Sequence, residues 1–136
     1  AWGGQGRSVI YVDTSVVLAH LLTEDKVPPS EMWEEPLVSS RLLEYELWNR
    51  IHAGHLAESH GEAVRGIISK FAILEMIQPV LSRAVELFPV AVRTLDALHL
   101  ASIEFLREQS LDIMLATYDP RMLAAARKLK LPVYPL

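Results

Sequence analysis

Short apolar runs alternate along the chain with stretches in which apolar residues recur at helical spacing. Val9 to Val12 and Ile113 to Ala116 are runs of four apolar residues, which is typical of buried strands. Ile73 to Ile77 predicts a further strand, and Leu37-Val38 and Val133-Tyr134 predict two very short ones. The pattern therefore predicts a sheet of four to five short strands.

Six helical segments are predicted between and after these strands. Ser59 and Glu62 form a capping-box pair that places the start of the third helix at His60, and Pro120 is placed to open the sixth, with Asp119 before it. Because strands and helices alternate, we expect an α/β fold, a three-layer α/β/α sandwich around a mainly parallel sheet. The first five predicted helices cover about residues 14–22, 40–53, 60–71, 81–88 and 94–109, and in the fifth Leu95, Leu98, Ser102, Phe105 and Leu106 are predicted to face inward.

Composition limits the class of protein. The chain has 136 residues, 51% hydrophobic and 22% charged, which indicates one globular domain and not a disordered chain. It has no cysteine, which excludes disulfides and thiolate metal sites and fits a cytoplasmic location. No apolar run approaches the roughly 18 residues of a membrane helix, so we expect no membrane association. We interpret residues 1–6 (AWGGQG) as a remnant of recombinant expression and residues 7–136 as the domain.

The formal net charge is −4, the wrong sign for a protein that binds nucleic acid over a broad surface. Any such binding must therefore be local. The sixth helix concentrates positive charge, and a cationic patch there could meet phosphate, although a solvated helix face is the ordinary meaning of such a run. Its cations are Arg121, Arg127, Lys128 and Lys130.

Carboxylates follow the two clearest strands. Asp13 ends the first strand, and Asp119 comes shortly after the strand that ends at Ala116. The carboxyl ends of parallel strands meet at one edge of a sheet, where ligands bind in open α/β folds. Asp96 lies in the first turn of the fifth helix. Each residue alone is also explained as a helix cap or a partner of the helix dipole, so the argument depends on their convergence.

The second helix offers two further carboxylates, Glu44 and Glu46. At about 100° per residue they lie about 200° apart, so both cannot face one site. Glu46 borders the apolar stripe, whereas Glu44 lies on the side of Trp48, and we therefore select Glu46. The competing interpretation of Glu46 is a surface pair with Arg50, worth about 0.2–0.5 kcal/mol.

Four carboxylates in one cleft repel one another, and a divalent cation removes that repulsion. Oxygen ligands suit Mg²⁺ or Mn²⁺, and such an ion activates water and neutralises charge on a phosphate. The predicted chemistry is therefore metal-assisted phosphodiester hydrolysis. His99, three residues after Asp96, is interpreted as a hydrogen-bonded helix residue because a hard, all-oxygen site does not need imidazole.

Four segments of the chain resemble the acidic motifs of PIN-domain ribonucleases, in particular those of the VapC-type toxins of bacterial toxin–antitoxin pairs. The resemblance covers about residues 8–136, and its third motif is the most specific. The segments are Val12-Asp13-Thr14-Ser15, Ser39-Ser40 through Tyr45-Glu46-Leu47, Arg93 through Ala101, and Ala116-Thr117-Tyr118-Asp119.

The resemblance implies a PIN-like sandwich, an acidic Mg²⁺ or Mn²⁺ site and endonucleolytic cleavage of RNA. It also implies a homodimer and inhibition by a cognate VapB-like antitoxin, whose C-terminal segment enters the active-site groove. By position, the catalytic and metal-binding residues are Asp13, Glu46, Asp96 and Asp119, the supporting residues are Thr14, Ser15 and Thr117, and the candidate RNA contacts are Arg93 and Arg121.

Two other functions compete with this hypothesis. A phosphoryl-transfer enzyme with an aspartate nucleophile also places Asp after its first strand, but its usual second acid would fall at Ser15. A non-catalytic PIN-like module that binds RNA or protein would keep the fold. Four repelling carboxylates without a metal would only destabilise such a module.

Overall fold

Strands and helices alternate along the chain as the hydrophobic pattern predicts. The computed structural model describes residues 8–109 and 111–136, so the remnant predicted at residues 1–6 lies outside the described residues. The strands are β1 (Val9–Val12), β2 (Leu37–Ser40), β3 (Ala72–Leu74) and β4 (Ile113–Ala116). The helices are α1 (Thr14–Leu21), α2 (Leu42–Ala53), α3 (Ala57–Ile68), α4 (Gln78–Ala84), α5 (Thr94–Glu108) and α6 (Pro120–Lys128), with a short 3-10 helix at Ser30–Glu34.

The four strands form one parallel sheet in the order β3-β2-β1-β4. The chain moves outward from β1 through β2 to β3 and then returns to the other side of β1 to form β4. The direction of connection therefore reverses between β1 and β4, and the carboxyl ends of these strands flank a crevice of the kind that binds ligands. The fifth predicted strand is reduced to a single parallel bridge between Val133 and Leu115.

The core is divided between the two faces of the sheet. Successive residues of β1 point to opposite faces, so Tyr11 packs with one cluster while Ile10 and Val12 pack with the other. The cluster around Tyr11 includes residues of α4, α5 and α6, and the second cluster includes residues of α1, α2 and α3. The predicted three-layer sandwich is thereby confirmed.

Several predicted boundaries are wrong. Helix α3 begins at Ala57, not at His60. Leu56 and Ala57 pack against the core, so the residues just before His60 adopt helical conformation and form the first turn of α3. Ser59 does not form the predicted capping box, and its hydroxyl donates to the carbonyl of Leu56 at 3.2 Å. Helix α4 begins at Gln78, since a proline is tolerated in a first helical turn.

The predicted strand at Ile73 to Ile77 is shorter and shifted, and forms β3 at Ala72–Leu74. Met76 and Ile77 instead pack against the core as the chain turns toward α4. In α5, Ser102 and Leu106 are buried as predicted, but Leu95 is 44% exposed. No helix in residues 8–109 or 111–136 is long and apolar enough to span a membrane.

Candidate active site

Three of the predicted acidic residues lie where elements begin at the carboxyl edge of the sheet. Asp13 joins β1 to α1, Asp119 is the N-cap of α6 after β4, and Asp96 lies in the first turn of α5. Asp13 occupies the N-cap position of α1, yet its side chain makes no capping hydrogen bond. Helix capping therefore does not explain the carboxylate of Asp13, which is only 7% exposed.

Two hydroxyl groups hold one oxygen of Asp13. Ser15 Oγ donates to Asp13 Oδ2 at 2.6 Å, and Thr117 Oγ1 donates to the same oxygen at 2.8 Å. The backbone amide of Asp13 also donates to the carbonyl of Ala116 at 2.9 Å. These contacts fix the carboxylate between β1 and β4, and in the described part of the chain no donor contacts Oδ1.

The turn after β4 orients these hydroxyls. The backbone amide of Tyr118 donates to Ser15 Oγ, and that of Asp119 donates to Thr117 Oγ1, both at 3.0 Å. Because a carboxylate oxygen can only accept, each hydroxyl directs its hydrogen to Asp13 while its oxygen accepts from the backbone. The structure thus brings the predicted supporting residues Ser15 and Thr117 to the carboxylate.

Glu46 enters the same region from α2. Its Oε1 accepts a hydrogen bond from Thr14 Oγ1 at 3.0 Å and lies 2.6 Å from His99 Nε2. Glu44 instead forms an ion pair with Arg41 at 3.2 Å. The structure therefore places Glu46, and not Glu44, against the residues that surround Asp13, as the helix-face argument predicts.

His99 connects this site to the centre of the sheet. The imidazole is buried, and its Nδ1 lies 2.7 Å from the hydroxyl of Tyr11, which is also buried. Burial lowers the pKa of His99, but the adjoining Tyr11 oxygen and the carboxylates of Glu46 and Asp13 outweigh this and raise the pKa to about 10. His99 is thus a hydrogen-bonded helix residue, and its ring stabilises the charge of Glu46. The sequence did not reveal its link to Glu46.

Asp96 experiences the charges of the other carboxylates. Burial raises its pKa, and the charges of Asp119 and Asp13 raise it further. The backbone amide of Arg93, which donates to Asp96 Oδ2 at 3.4 Å, and the charge of His99 act in the opposite direction. The charge of Asp96 is therefore repelled by each of the other two aspartates.

The residues fit a hard divalent cation in the type of donor they offer. Within the described ranges, no three carboxylate or imidazole groups are already arranged as a metal-binding cluster. The fit depends instead on the all-oxygen donors and on the pKa of Asp96, which burial raises and the charges of Asp119 and Asp13 raise further; a cation would relieve that repulsion. The carboxylates that would supply such donors are those of Asp13, Glu46, Asp96 and Asp119.

The two predicted RNA contacts lie beside these aspartates. Arg93 precedes α5 and Arg121 lies in the first turn of α6, and both residues are exposed. The backbone amide of Arg121 donates to Asp119 Oδ1 at 2.9 Å. Among residues 8–109 and 111–136, neither guanidinium forms an ion pair with a carboxylate, so both remain available to an anion.

Two grooves adjoin the site. One, of about 670 Å³, lies between α4 and the start of α5 and is mainly apolar. The other, of about 630 Å³, includes Thr117 and Tyr118 and extends to α6 and the C-terminal residues. Large apolar side chains beside the first groove are exposed: Leu81 39%, Val85 86%, Leu87 93% and Leu95 44%.

The sequence and the fold are both similar to known proteins. The model of the PIN domain family matches residues 10–128. Ribonuclease VapC46 of Mycobacterium tuberculosis (strain ATCC 25618 / H37Rv) is 32% identical over 130 residues, which cover 93% of this chain and 96% of that protein. Ribonuclease VapC47 of Mycobacterium tuberculosis (strain CDC 1551 / Oshkosh) is 28% identical over 127 residues, which cover 88% and 91%.

Two solved structures have the same fold. A toxin–antitoxin complex from Klebsiella pneumoniae contains a chain that superposes with a TM-score of 0.62 at 19% identity, covering 88% of this chain and 93% of that one. The crystal structure of PAE2754 from Pyrobaculum aerophilum gives a TM-score of 0.60 at 24% identity, with coverages of 89% and 83%. At these identities the two structures support the fold alone.

Proposed function

The chain belongs to the PIN-domain family as a VapC-type member, and from this premise we propose that it is a metal-dependent endoribonuclease, the toxin of a toxin–antitoxin pair. The observation that carries the proposal is the arrangement around Asp13. Two hydroxyls fix its carboxylate between β1 and β4, and the charges of Asp13 and Asp119 both act on Asp96. Such crowding of acids is unfavourable unless a cation or a proton is bound there.

Asp13, Asp96, Asp119 and Glu46 would hold Mg²⁺ or Mn²⁺ between them. When bound, the cation lowers the pKa of a water molecule and neutralises negative charge on the scissile phosphate. Oxygen ligands of this kind suit either metal.

The surrounding side chains hold the acids in place. Ser15 and Thr117 fix Asp13 through Oδ2 and leave Oδ1 as its available oxygen. Thr14 and His99 occupy Oε1 of Glu46, which leaves Oε2 available to a ligand or to a proton from an attacking water. The carboxylates are therefore positioned before RNA arrives, which reduces the reorganisation needed during the reaction.

The substrate is RNA, held in part by its phosphates. Arg93 and Arg121 lie next to Asp96 and Asp119 in the chain, and their guanidinium groups suit phosphate oxygens. They supply local positive charge on a chain of net charge −4. We place this activity in the cytoplasm, as the cysteine-free sequence suggests.

Two protein partners belong to the proposal. One is a cognate VapB-like antitoxin whose C-terminal segment enters the active-site groove, a partner that the likeness to VapC-type ribonucleases implies. The other is a second copy of this chain. Val85 and Leu87 form an exposed apolar surface beside the groove between α4 and α5, which would be covered in a homodimer.

The test is cleavage of RNA by the purified protein. Total small RNA is incubated with parent protein in Mg²⁺, in Mn²⁺ or in EDTA, and the new ends are mapped. We expect discrete ends with either metal, none in EDTA, and none with Asp96→Asn. Cleavage in EDTA would contradict the metal-dependent mechanism, and a folded parent that cleaves no RNA with either metal would contradict the proposed function.

A further inference from the structure

The groove between the segment after α1 and helix α6 is not used by the chemistry described so far. Asp25 and Lys26 contribute one wall, and Arg127 of α6 and Tyr134 contribute another. Thr117 and Tyr118 line the end nearest Asp13, and the remaining lining residues are Val27, Leu123, Val133, Pro135 and Leu136. With a volume of about 630 Å³, the groove is large enough for part of an extended ligand.

The groove is directly connected to the carboxylate site. Thr117, which lines the groove, donates its hydroxyl hydrogen to Asp13 Oδ2 at 2.8 Å. The backbone amide of the next residue, Tyr118, donates to Ser15 Oγ at 3.0 Å. A ligand in this groove therefore lies beside the residues that position Asp13.

The side chains of the groove suit a single-stranded nucleic acid. Tyr118 and Tyr134 offer aromatic surfaces on which bases can stack, and stacking of this kind tolerates any base. Burial raises the pKa of the Tyr118 hydroxyl, and burial with the charges of Glu31 and Glu35 raises that of Tyr134. Both hydroxyls therefore stay protonated at neutral pH and can donate hydrogen bonds.

Two side chains of the lining, Lys26 and Arg127, carry positive charge that can meet a phosphate, and Asp25 is the carboxylate side chain beside them. Arg127 is exposed and forms no ion pair with any carboxylate in the part of the chain that the structure describes. The groove between α4 and α5 is mainly apolar and suits a protein surface better.

We propose that the groove lined by Tyr118 and Arg127 binds a nucleotide of the RNA substrate adjacent to the cleaved bond. Tyr118 supplies a stacking surface and Arg127 contacts a backbone phosphate. This inference rests on the proposed function and adds a binding site to it. It predicts that both residues affect the binding of RNA more than they affect the chemical step.

The inference is tested first by binding. A short fluorescein-labelled oligouridine is titrated in EDTA with parent, Arg127→Ala, Tyr118→Leu, Tyr118→Phe and Lys128→Ala, and anisotropy gives Kd. We expect Tyr118→Leu to raise Kd about fivefold or more, since stacking contributes roughly 1–3 kcal/mol per base, while Tyr118→Phe stays near parent. Arg127→Ala should raise Kd and reduce the slope of log Kd against log salt by about 0.7, the contribution of one phosphate contact in a single strand.

Lys128 is the matched control, because it is exposed on the same helix but does not line the groove. Cleavage kinetics in Mn²⁺ should show a raised KM and a nearly unchanged kcat for Arg127→Ala and Tyr118→Leu. Thermal melting identifies a variant that fails to fold, and Arg127→Ala, at an exposed position, keeps the test informative if Tyr118→Leu is unstable.

The outcomes separate this inference from the proposed function. If the parent cleaves RNA with Mn²⁺ but Arg127→Ala has the Kd and KM of Lys128→Ala, the groove does not bind RNA and the inference is wrong. The same Kd and KM for Arg127→Ala and Lys128→Ala are expected if the groove binds a protein segment and not RNA. If the parent neither cleaves nor binds RNA, both the proposed function and this inference are wrong.

Discussion

His99 Nε2 lies 2.6 Å from Glu46 Oε1, so a residue of α5 holds the carboxylate that α2 contributes to the site. The other ring nitrogen lies 2.7 Å from the hydroxyl of Tyr11 in the central strand. The three side chains form a continuous hydrogen-bonded connection from the middle of the sheet to the acidic cleft. The protonation of His99 therefore affects both the stability of the fold and the position of Glu46.

The first prediction concerns the stability of the metal-free protein at alkaline pH. The pKa of His99 is raised from 6.5 to about 10, so its protonated form stabilises the native state. This contribution is fully present below pH 6.5 and is lost as the pH rises toward 10. We expect the free energy of unfolding of the parent to fall more steeply with rising pH in that range than that of His99→Gln. Urea unfolding in EDTA measures it, and equal pH slopes for the two proteins would show that His99 does not titrate in this way.

The second prediction compares the two glutamates of α2. Glu46→Gln keeps a hydrogen-bonding side chain beside Thr14 and His99 but removes a negative charge from the site. We expect it to lower affinity for Mn²⁺ by about tenfold or more and to slow cleavage. Glu44→Gln disrupts only a partly exposed pair with Arg41, worth less than about 1 kcal/mol, and should retain activity.

Electron paramagnetic resonance of free Mn²⁺ gives the affinities of these two variants, and RNA cleavage gives the rates. Similar losses of Mn²⁺ affinity and of cleavage rate in Glu44→Gln and Glu46→Gln would show that the position of Glu46 on α2 does not determine its contribution to the site.

The third prediction concerns the repulsion among the aspartates. Because burial and the charges of Asp119 and Asp13 raise the pKa of Asp96, the metal-free parent gains stability as the pH falls through that pKa. Asp96→Asn removes the repulsion, so it should be more stable than the parent at neutral pH in EDTA and inactive on RNA. Asp13→Asn should be equally inactive without that gain, since its carboxylate accepts hydrogen bonds from Ser15 and Thr117.

Thermal melting in EDTA ranks the parent, Asp13→Asn and Asp96→Asn. A melting temperature of Asp96→Asn at or below that of the parent would argue against repulsion at this position.

The fourth prediction concerns the homodimer. Leu87 is 93% exposed on the apolar surface beside α4, and Leu87→Glu would place a charge in any interface formed there. We expect the parent to sediment as a dimer and Leu87→Glu as a monomer. Val27→Glu is the control, because Val27 is a 51% exposed apolar residue away from that surface. A parent that sediments as a monomer, or a Leu87→Glu dimer, would reject this interface.

Local patterns predicted the positions of several site residues. Asp13 directly follows the apolar run that forms β1, and Asp119 comes shortly after the run that forms β4, so their place at the carboxyl edge follows from the strands themselves. The angular position of Glu46 on α2 could be calculated from helical spacing alone. Each of these predictions used only residues close together in the sequence.

The connection between His99 and Glu46 could not be predicted in that way. The two residues are 53 positions apart, on helices that cover opposite faces of the sheet, and they meet only because the chain closes around β1. The burial of His99 also depends on its partners, since an imidazole is favourable there only when both nitrogens are hydrogen-bonded. The wrong prediction that Leu95 faces inward has a related origin. Helical spacing shows which residues share a helix face, but not how far neighbouring elements bury that face.

The pairing of β1 with β4 has a consequence for the order in which the site forms. Thr117 and Asp13 are 104 positions apart, and their hydrogen bond requires the closing strand to dock beside the opening one. Closing so long a segment into a parallel sheet is a late and slow event in folding. A nascent chain that is still being translated before residue 117 lacks both Thr117 and Asp119 beside Asp13. A nuclease built on this topology therefore becomes able to cut RNA only after nearly all of its domain has left the ribosome.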